Sequence, residues 1–219
     1  MTMEQNNKQN AKKMGKKDSK EFLVIADTIF SPIYPVIAEQ IVTNTGIHSG
    51  TALDVGSGPG HLATALALAS ECTVHALDCS PDMVEICQRR ISEKGLTKKV
   101  IPSCGDVCEI SFDDNSFDLI VSRGSWFFWE DLEKGLSEIY RVLKPGGKTY
   151  IGGGFGNTAL KEQIVSAMKE RKSDFESGMK ERLMSRSPEV IRSVMEKIKV
   201  HNYSVINDDS GIWLMMVKE

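Results

Sequence analysis

Three aspartates in the first half of the chain each end or closely follow a short apolar run: Asp54, Asp78 and Asp106. Runs of this length and composition are typical of buried strands. In open α/β sheets, ligands bind beyond the carboxyl ends of the strands. Carboxylates at those places can accept hydrogen bonds from ligand hydroxyl, amino or ammonium groups. The three side chains therefore predict one ligand site at an edge of a sheet.

A glycine-rich turn follows the first aspartate, in the segment Asp54-Val55-Gly56-Ser57-Gly58-Pro59-Gly60. Glycines let the backbone turn sharply and approach a ligand closely, because no Cβ stands in the way. The helix predicted to begin at His61 offers free backbone N–H groups to a negatively charged group. We expect ligand contacts from Asp54 and from four residues of the turn: Gly56, Ser57, Gly58 and Gly60.

Two details of this segment distinguish between possible ligands. The dinucleotide fingerprint has the spacing G-x-G-x-x-G, whereas Gly60 comes one residue too early for it. Asp54 would repel a pyrophosphate, but it suits the ammonium of a methionine moiety whose carboxylate lies at the helix N-terminus. Asp78 can accept from both ribose hydroxyls, although alone it could also simply face solvent. In Gly105-Asp106-Val107, the Asp106 carboxylate and the Val107 N–H can bind adenine. The glycine spacing and the three aspartates together favour S-adenosylmethionine over NAD.

Strand-like and helix-like segments alternate from residue 51 onward. The predicted strands are Thr51–Val55, Thr73–Asp78, Val100–Cys104, Asp118–Ser122 and Lys148–Ile151. The predicted helices are His61–Ser70, a helix from Pro81 to about Gly95 with Ser80 as its N-cap, and Asp131–Leu143, which Pro145-Gly146-Gly147 stops. This alternation predicts an α/β fold with a doubly wound, mostly parallel sheet. Tyr203–Ile206 and Ile212–Val217 predict a terminal hairpin with a five-residue connection, whose last strand runs antiparallel beside the fifth.

The chain is expected to form one domain with two additions. Residues 1–20 are predicted to be a disordered basic leader, and residues 21–219 a single domain. Within it, residues 21–50 form N-terminal cap helices, bent at Phe30-Ser31-Pro32-Ile33-Tyr34-Pro35 by the two prolines. Residues 157–185 are predicted to be a helical, lid-like insertion; a solvated surface segment or a dimer contact is the alternative.

Charge is unevenly distributed between the N-terminal tail and the rest of the chain. The N-terminal tail through Glu21 carries six lysines and three acidic residues, which gives it a charge of +3. Because the whole chain has a net charge of −3, residues 22–219 carry −6. An acidic body argues against binding along a phosphate backbone, which Lys and Arg drive. We therefore expect a small-molecule partner rather than nucleic acid.

The cysteines and the hydropathy exclude further classes. The five cysteines include no Cys-x-x-Cys pair and no histidine-rich partner segment, so we expect free thiols, a reducing cytoplasmic location and no metal site. No apolar run approaches the ~20 residues that a membrane span needs. The oligomeric state stays open between monomer and homodimer.

In these motifs the sequence resembles the class I S-adenosylmethionine-dependent methyltransferases, in particular the type 11 group that includes quinone-biosynthesis enzymes. The matching segments cover residues 51–154 and are LDVGSGPG, ALDCSPDMVE, CGDV, FDLIVSRGSWFFWED and YRVLKPGGKTYIGGG. The resemblance implies a seven-stranded sheet with one reversed strand and methyl transfer to a small molecule, with S-adenosylhomocysteine as product. It implies that Cys79 and Met83 flank the adenosine. It also implies that the N-terminal helices cover the cofactor, so that Tyr34 can reach the methionine end; alternatively, Tyr34 anchors the cap.

The end of the fourth predicted strand, Ser122-Arg123-Gly124, lies next to the expected methyl donor. Trp126-Phe127-Phe128-Trp129 follows, in a segment that is less aromatic in many relatives. We expect Trp126 and Trp129, with Arg123 and Tyr34, to line an acceptor pocket; the alternative is that the aromatic residues pack the next helix. His61 is either a base or a neighbour of the ligand, and we assign no catalytic residue.

Three other functions compete with methyl transfer to a small molecule. A cofactor-binding regulatory module without turnover would need the same cofactor residues. An NAD-dependent dehydrogenase is disfavoured by the glycine spacing, and an RNA or protein methyltransferase rests only on the lysine-rich leader.

Overall fold

The computed structural model describes the backbone of residues 16–219, and the strands in this range form a seven-stranded sheet. In chain order they are β1 (Ser49–Val55), β2 (Glu71–Asp78), β3 (Val100–Cys104), β4 (Phe117–Arg123), β5 (Leu143–Gly154), β6 (Tyr203–Asp208) and β7 (Gly211–Met216). Across the sheet the order is β3-β2-β1-β4-β5-β7-β6. Strand β7 is antiparallel to β5 and β6, and the remaining pairs are parallel. The expected fold class, with one reversed strand beside the fifth, is confirmed.

Helices cover both faces of this sheet. They are α1 (Lys16–Thr28), α2 (Ile33–Thr45), α3 (His61–Ala69), α4 (Pro81–Glu93), α5 (Leu132–Val142), α6 (Thr158–Arg171), α7 (Phe175–Met184) and α8 (Pro188–Lys197), with a short 3₁₀ turn at Trp126–Phe128. Along β1, Ala52 joins a buried cluster with α2, α3 and α4, whereas Leu53 joins a cluster with α5 and α8. Successive residues of a strand point to opposite faces, so the two clusters are the two layers of a doubly wound fold.

Side-chain caps fix where several helices begin. The Ser80 hydroxyl accepts a hydrogen bond from the Met83 N–H at 3.4 Å, and Pro81 occupies the first turn, as predicted. Asp131 accepts from the Lys134 N–H at 2.9 Å, and Asn157 accepts from the Leu160 N–H at 2.9 Å. These caps fix the start of α4, α5 and α6 directly after loops at the carboxyl edge of the sheet.

The C-terminal half departs from the predicted boundaries in three places. Strand β5 begins at Leu143 and includes the Pro-Gly-Gly segment, because Leu143 pairs with Phe117 before the register shifts. The five-residue hairpin connection is wrong: Asp208 pairs with Gly211, which leaves two connecting residues. The segment predicted as one helical run is divided between α6 and α7.

The N-terminal prediction is only partly within the described range. Residues 1–15 of the predicted leader lie outside it, and Lys16 already belongs to α1. The cap region consists of α1 and α2, separated by the predicted bend at Pro32. In the described part of the chain, no helix combines the length and the apolar composition needed to cross a membrane.

Candidate functional site

The carboxyl ends of four adjacent parallel strands form the candidate site. Asp54 is the next-to-last residue of β1, Asp78 ends β2, and Asp106 follows β3 by two residues. Arg123 ends β4, on the other side of β1. Because these strands are parallel neighbours, the structure brings the predicted residues to one edge of the sheet.

The glycine-rich turn between β1 and α3 is held in one conformation by β2. The Leu77 carbonyl accepts hydrogen bonds from the N–H groups of Gly56 and Ser57 at 2.8 and 3.0 Å. The Asp78 Oδ2 accepts from the Gly58 N–H at 2.7 Å, and its Oδ1 accepts from the Ser80 N–H at 2.9 Å. Asp78 thus organises the turn in addition to any role toward a ligand.

Three glycines of the turn have positive φ angles: Gly56 at 66°, Gly58 at 54° and Gly60 at 80°. Side chains rarely adopt this conformation. A Cβ at Gly56 would also meet the Ser125 hydroxyl, and one at Gly60 would meet the Cys87 sulfur. The turn therefore needs glycine for its conformation and for its close packing.

Asp54 is the most unusual titratable group at this edge. It is 1% exposed, and its Oδ2 has no hydrogen-bond partner among the described residues. Its pKa is raised to about 7, chiefly by burial; a hydrogen bond from the Ala63 backbone opposes this rise, and the charge of Asp78 adds to it. A buried carboxylate oxygen without a partner is costly, so it suits a cationic donor from a ligand.

The residues expected around adenosine lie along the ends of β2 and β3. Cys79 is exposed at the end of β2, and Met83 is buried on the first turn of α4. Asp106 is exposed and accepts from the Cys108 N–H at 2.8 Å, while the Gly105 N–H donates to the Asp78 carbonyl at 3.0 Å. Val107 packs against the cluster beneath α5.

Arg123 is a cation in an aromatic environment. Its Nε and Nη2 both donate to the Gly154 carbonyl, at 3.2 and 3.1 Å. The guanidinium carbon lies 4.9 Å from the ring centre of Phe30, 5.7 Å from Tyr34 and 5.8 Å from Phe155. Burial lowers its pKa, which the phenol of Tyr34 opposes. Arg123 thus joins the cap region to the ends of β4 and β5.

The aromatic segment after β4 divides differently from the prediction. Trp126 is fully buried in the core, and its carbonyl accepts two hydrogen bonds from the Arg186 guanidinium. Trp129 donates its indole N–H to the Ser125 hydroxyl at 3.1 Å. Phe127 and Phe128, and not the two tryptophans, line the neighbouring cavity. Consecutive residues of a 3₁₀ turn point in different directions, so only part of the segment can face a ligand.

Ser125 connects this segment to the glycine-rich turn, a link that sequence reasoning missed. Its hydroxyl lies 2.7 Å from the Ser122 hydroxyl and donates to the Val55 carbonyl at 3.0 Å. It also occupies the space that a Cβ at Gly56 would need. Ser122 is therefore linked through Ser125 to Val55, directly before the glycines of the turn.

A cluster of polar residues fastens the cap helices to the body. The Asp27 carboxylate on α1 lies 2.8 Å from the His61 Nε2 and 2.6 Å from the Arg90 Nη2. The His61 ring stacks on Tyr34, with 4.8 Å between ring centres. Burial and the charge of Arg90 lower the pKa of His61 to about 4. Neither Asp27 nor Arg90 carries a sequence signal, because each lies about thirty residues from His61.

A cavity of about 510 Å³ lies beside this edge, between the cap, the sheet and the insertion. From the body of the domain it is lined by Phe30, Arg123, Gly124, Phe127, Phe128, Gly153, Gly154, Phe155 and Ile212, among others. From α6 and α7 it is lined by Lys161, Met168, Phe175, Met179, Arg182 and Leu183. The residues of the glycine-rich turn do not line it. The cavity is therefore a separate space that adjoins the turn at Arg123 and Gly124.

The described residues contain no group of three or more His, Cys, Asp or Glu side chains arranged to hold a metal ion. All five cysteines are free.

Comparisons with known proteins identify the family to which this chain is similar. Residues 53–151 match the family described as "Methyltransferase domain". A crystal structure from Methanococcus maripaludis, assigned provisionally as an S-adenosyl-L-methionine-dependent methyltransferase, is 43% identical, with a TM-score of 0.91 and coverage of 94% of both chains. The uncharacterised methyltransferase YdaC of Bacillus subtilis is 30% identical over 130 residues, which cover 58% of this chain and 70% of YdaC.

A second curated relative is the phosphoethanolamine N-methyltransferase 2 of Caenorhabditis elegans. It is 39% identical over 122 residues, which cover 54% of this chain and 28% of that enzyme. The chain spans between 28% and 55% of the length of seven curated relatives, this enzyme among them.

Proposed function

The chain belongs to the class I S-adenosylmethionine-dependent methyltransferases of the type 11 group, and we propose that it methylates a small-molecule acceptor bound in the cavity beside β4 and β5. The observation that carries the cofactor site is the buried Oδ2 of Asp54, which has no hydrogen-bond partner among the described residues and lies beside three glycines of positive φ. This carboxylate fits the ammonium of the methionine moiety, and the start of α3 fits its carboxylate.

The remaining predicted cofactor residues fit the other parts of the same molecule. Each oxygen of Asp78 accepts one backbone hydrogen bond and keeps a lone pair for a ribose hydroxyl. Asp106 and the Val107 N–H would bind adenine between Cys79 and Met83, with Gly105 leaving room at the strand end. Tyr34 and the segment Ser122-Arg123-Gly124 would border the methionine end.

The chain's own residues act chiefly by positioning and by excluding water. When bound, S-adenosylmethionine supplies an electrophilic methyl group on a sulfonium and leaves as S-adenosylhomocysteine. Phe30, Phe127 and Phe155 give the cavity an apolar wall, which would exclude water from the methyl transfer. Holding two reactants in the correct geometry can lower a barrier by ~7–11 kcal/mol.

A role for His61 as general base finds no support in its surroundings. Its Nε2 lies at hydrogen-bond distance from Asp27, its buried Nδ1 has no hydrogen-bond partner among the described residues, and it does not line the cavity. Its low pKa keeps it neutral near pH 7, where its stacking on Tyr34 holds the cap. An acceptor that reacts as a thiolate, a neutral amine or a carbanion needs no protein base at the transfer step.

Calorimetry with S-adenosylmethionine tests the cofactor site. We expect the Asp78→Ala variant to bind about ten- to hundredfold more weakly, because it loses hydrogen bonds to a charged acceptor and the fastening of the turn. Asp78→Asn keeps one acceptor oxygen and should fall between the two. Asp113→Ala is the matched control, since Asp113 is exposed before β4, at the opposite edge of the sheet. Equal affinity of Asp78→Ala and wild type would contradict the ribose assignment.

Turnover separates an enzyme from a regulatory cofactor-binding module. The wild-type chain is incubated with methyl-labelled S-adenosylmethionine and fractionated small metabolites, and S-adenosylhomocysteine is quantified. We expect one fraction to give stoichiometric label transfer. Tight cofactor binding without S-adenosylhomocysteine from any fraction would favour the regulatory module.

A further inference from the structure

The cavity beside Arg123 has an apolar interior and an asymmetric distribution of charge. Its cationic lining residues other than Arg123 come from the insertion: Lys161, Lys172 and Arg182. Its acidic lining residues, Glu21, Asp208 and Asp209, come from α1 and the terminal hairpin. All three acids are exposed, so water can solvate them, and Asp208 already accepts from the Ser210 N–H and hydroxyl at 2.8 and 2.6 Å.

The partly buried charges of the lining are positive. Arg123 and Arg182 are both half-buried, and burial lowers the pKa of each guanidinium. Arg123 donates to a backbone carbonyl and lies over three rings. Among the side chains that the structure describes, no carboxylate hydrogen-bonds to Arg182; Glu181 and Asp174 act on it only at longer range.

A half-buried guanidinium without a carboxylate partner is an incomplete ion pair. It is stabilised by an anion that enters the same apolar space and accepts two N–H bonds. Arg182 projects from α7, which contributes no buried residue of its own, so the position of this helix depends on what it covers. The neighbouring walls, Phe127, Phe128 and Phe175, offer flat apolar surfaces to the rest of such a ligand.

We propose that the acceptor is an apolar molecule with one anionic group, and that Arg182 binds this group. The proposal rests on the proposed function, because it names the class of acceptor for the same cavity. It makes Arg182 a specificity residue, placed on the insertion and away from the glycine-rich turn. The reactive atom of the acceptor then lies toward Arg123 and Gly124.

Two dyes with the same apolar body test the recognition of the anion without any need for turnover. Anilinonaphthalene sulfonate carries one negative charge, and phenylnaphthylamine is its neutral counterpart. Fluorescence titration of the full chain gives the dissociation constant of each dye for wild type, Arg182→Met, Arg182→Lys and Arg171→Met. Arg171 is the matched control, because it is an exposed arginine of the same insertion that does not line the cavity.

We expect Arg182→Met to weaken binding of the sulfonate dye by about tenfold and to leave the neutral dye unchanged. Arg182→Lys should restore part of the sulfonate affinity, and Arg171→Met should change neither dye. Equally weaker binding of both dyes would overturn the proposal. Arg182 would then act by holding the insertion against the acidic lining residues, and not by binding an anion. No change for either dye would also overturn it.

Cofactor binding is measured on the same samples by calorimetry. Unchanged affinity for S-adenosylmethionine in Arg182→Met, together with loss of sulfonate selectivity, supports the proposal. A wild-type chain that fails to bind S-adenosylmethionine would contradict the proposed function, and the dye selectivity would still report on the cavity.

Discussion

At the scale of single residues, two aspartates of the same sheet edge have different tasks because their surroundings differ. Asp78 accepts two backbone N–H groups and so fastens the turn that follows β1. Asp54 is more deeply buried, and one of its oxygens has no hydrogen-bond partner in the described part of the chain. The spacing of these aspartates predicts that both are needed at the edge. It does not distinguish them, because the difference depends on which backbone groups the fold brings near.

The stability of the ligand-free chain should depend on pH through Asp54. Its folded pKa of about 7 exceeds the usual value of 3.8, so the unfolded chain releases this proton at lower pH than the folded chain does. The free energy of unfolding therefore falls as pH rises from about 4 to about 7 and levels above that. In Asp54→Asn this component is absent, so the variant should gain about 1–3 kcal/mol on wild type across that window. Urea denaturation at a series of pH values measures the difference.

The same substitution should act on the cofactor in the opposite direction. Asp54→Asn removes the charge that binds the ammonium, so affinity for S-adenosylmethionine should fall about tenfold or more at pH 8. A variant that is more stable and binds more weakly is the signature of a functional buried charge. Parallel pH–stability curves for variant and wild type, or unchanged cofactor affinity, would argue against this role.

At the scale of elements, local sequence signals predicted the strands and helices that surround the turn. Ser80 and Pro81 carry a cap that depends on adjacent residues only, and the prediction for α4 holds. The Pro-Gly-Gly segment of β5 resembles a loop, because the pairing of Leu143 with Phe117 that makes it part of a strand is a tertiary contact. Trp126 is misplaced for the same reason: it is buried in a cluster with residues distant in the chain, and its carbonyl accepts from Arg186, sixty residues away.

The attachment of α1 is another tertiary feature, and it should control access to the cofactor. Asp27 joins α1 to α3 and α4 through His61 and Arg90. Burial alone would raise its pKa, but the hydrogen bonds from Arg90 and His61 lower it, so the carboxylate is charged near pH 7. Asp27→Asn should therefore loosen the cap, weakening cofactor binding about two- to fivefold, as expected for a partly exposed ion pair.

Hydrogen exchange measures the loosening directly. We expect faster amide exchange in residues 21–45 of Asp27→Asn and unchanged exchange in β1 and β4. Glu39→Gln is the control, since Glu39 is an exposed acid on α2. If exchange in the cap is the same in Asp27→Asn and wild type, the Asp27 cluster does not hold the cap in place.

At the scale of the whole molecule, the order of the strands determines where the two halves of the site lie. The chain winds from β1 through β2 to β3 on one side, and then from β4 to β5 on the other. Between β1 and β4 the direction of winding reverses, and a crevice opens at such a point. The glycine-rich turn follows β1 and Arg123 ends β4, so the predicted cofactor site and the cavity adjoin across this crevice.

A ligand that bridges this crevice should stabilise the entire domain. Its predicted contacts come from the ends of β1, β2, β3 and β4 and from Tyr34 on α2, so unfolding any of these elements would release it. At a concentration of one hundred times its dissociation constant, S-adenosylmethionine should add about 2.7 kcal/mol to the free energy of unfolding. For a domain of this size that corresponds to a rise of roughly 5–11 °C in Tm. Differential scanning calorimetry measures the rise, with Asp78→Ala expected to show a much smaller one at the same concentration. NADH is the control ligand: a rise with NADH and none with S-adenosylmethionine would show that the turn after β1 serves a dinucleotide.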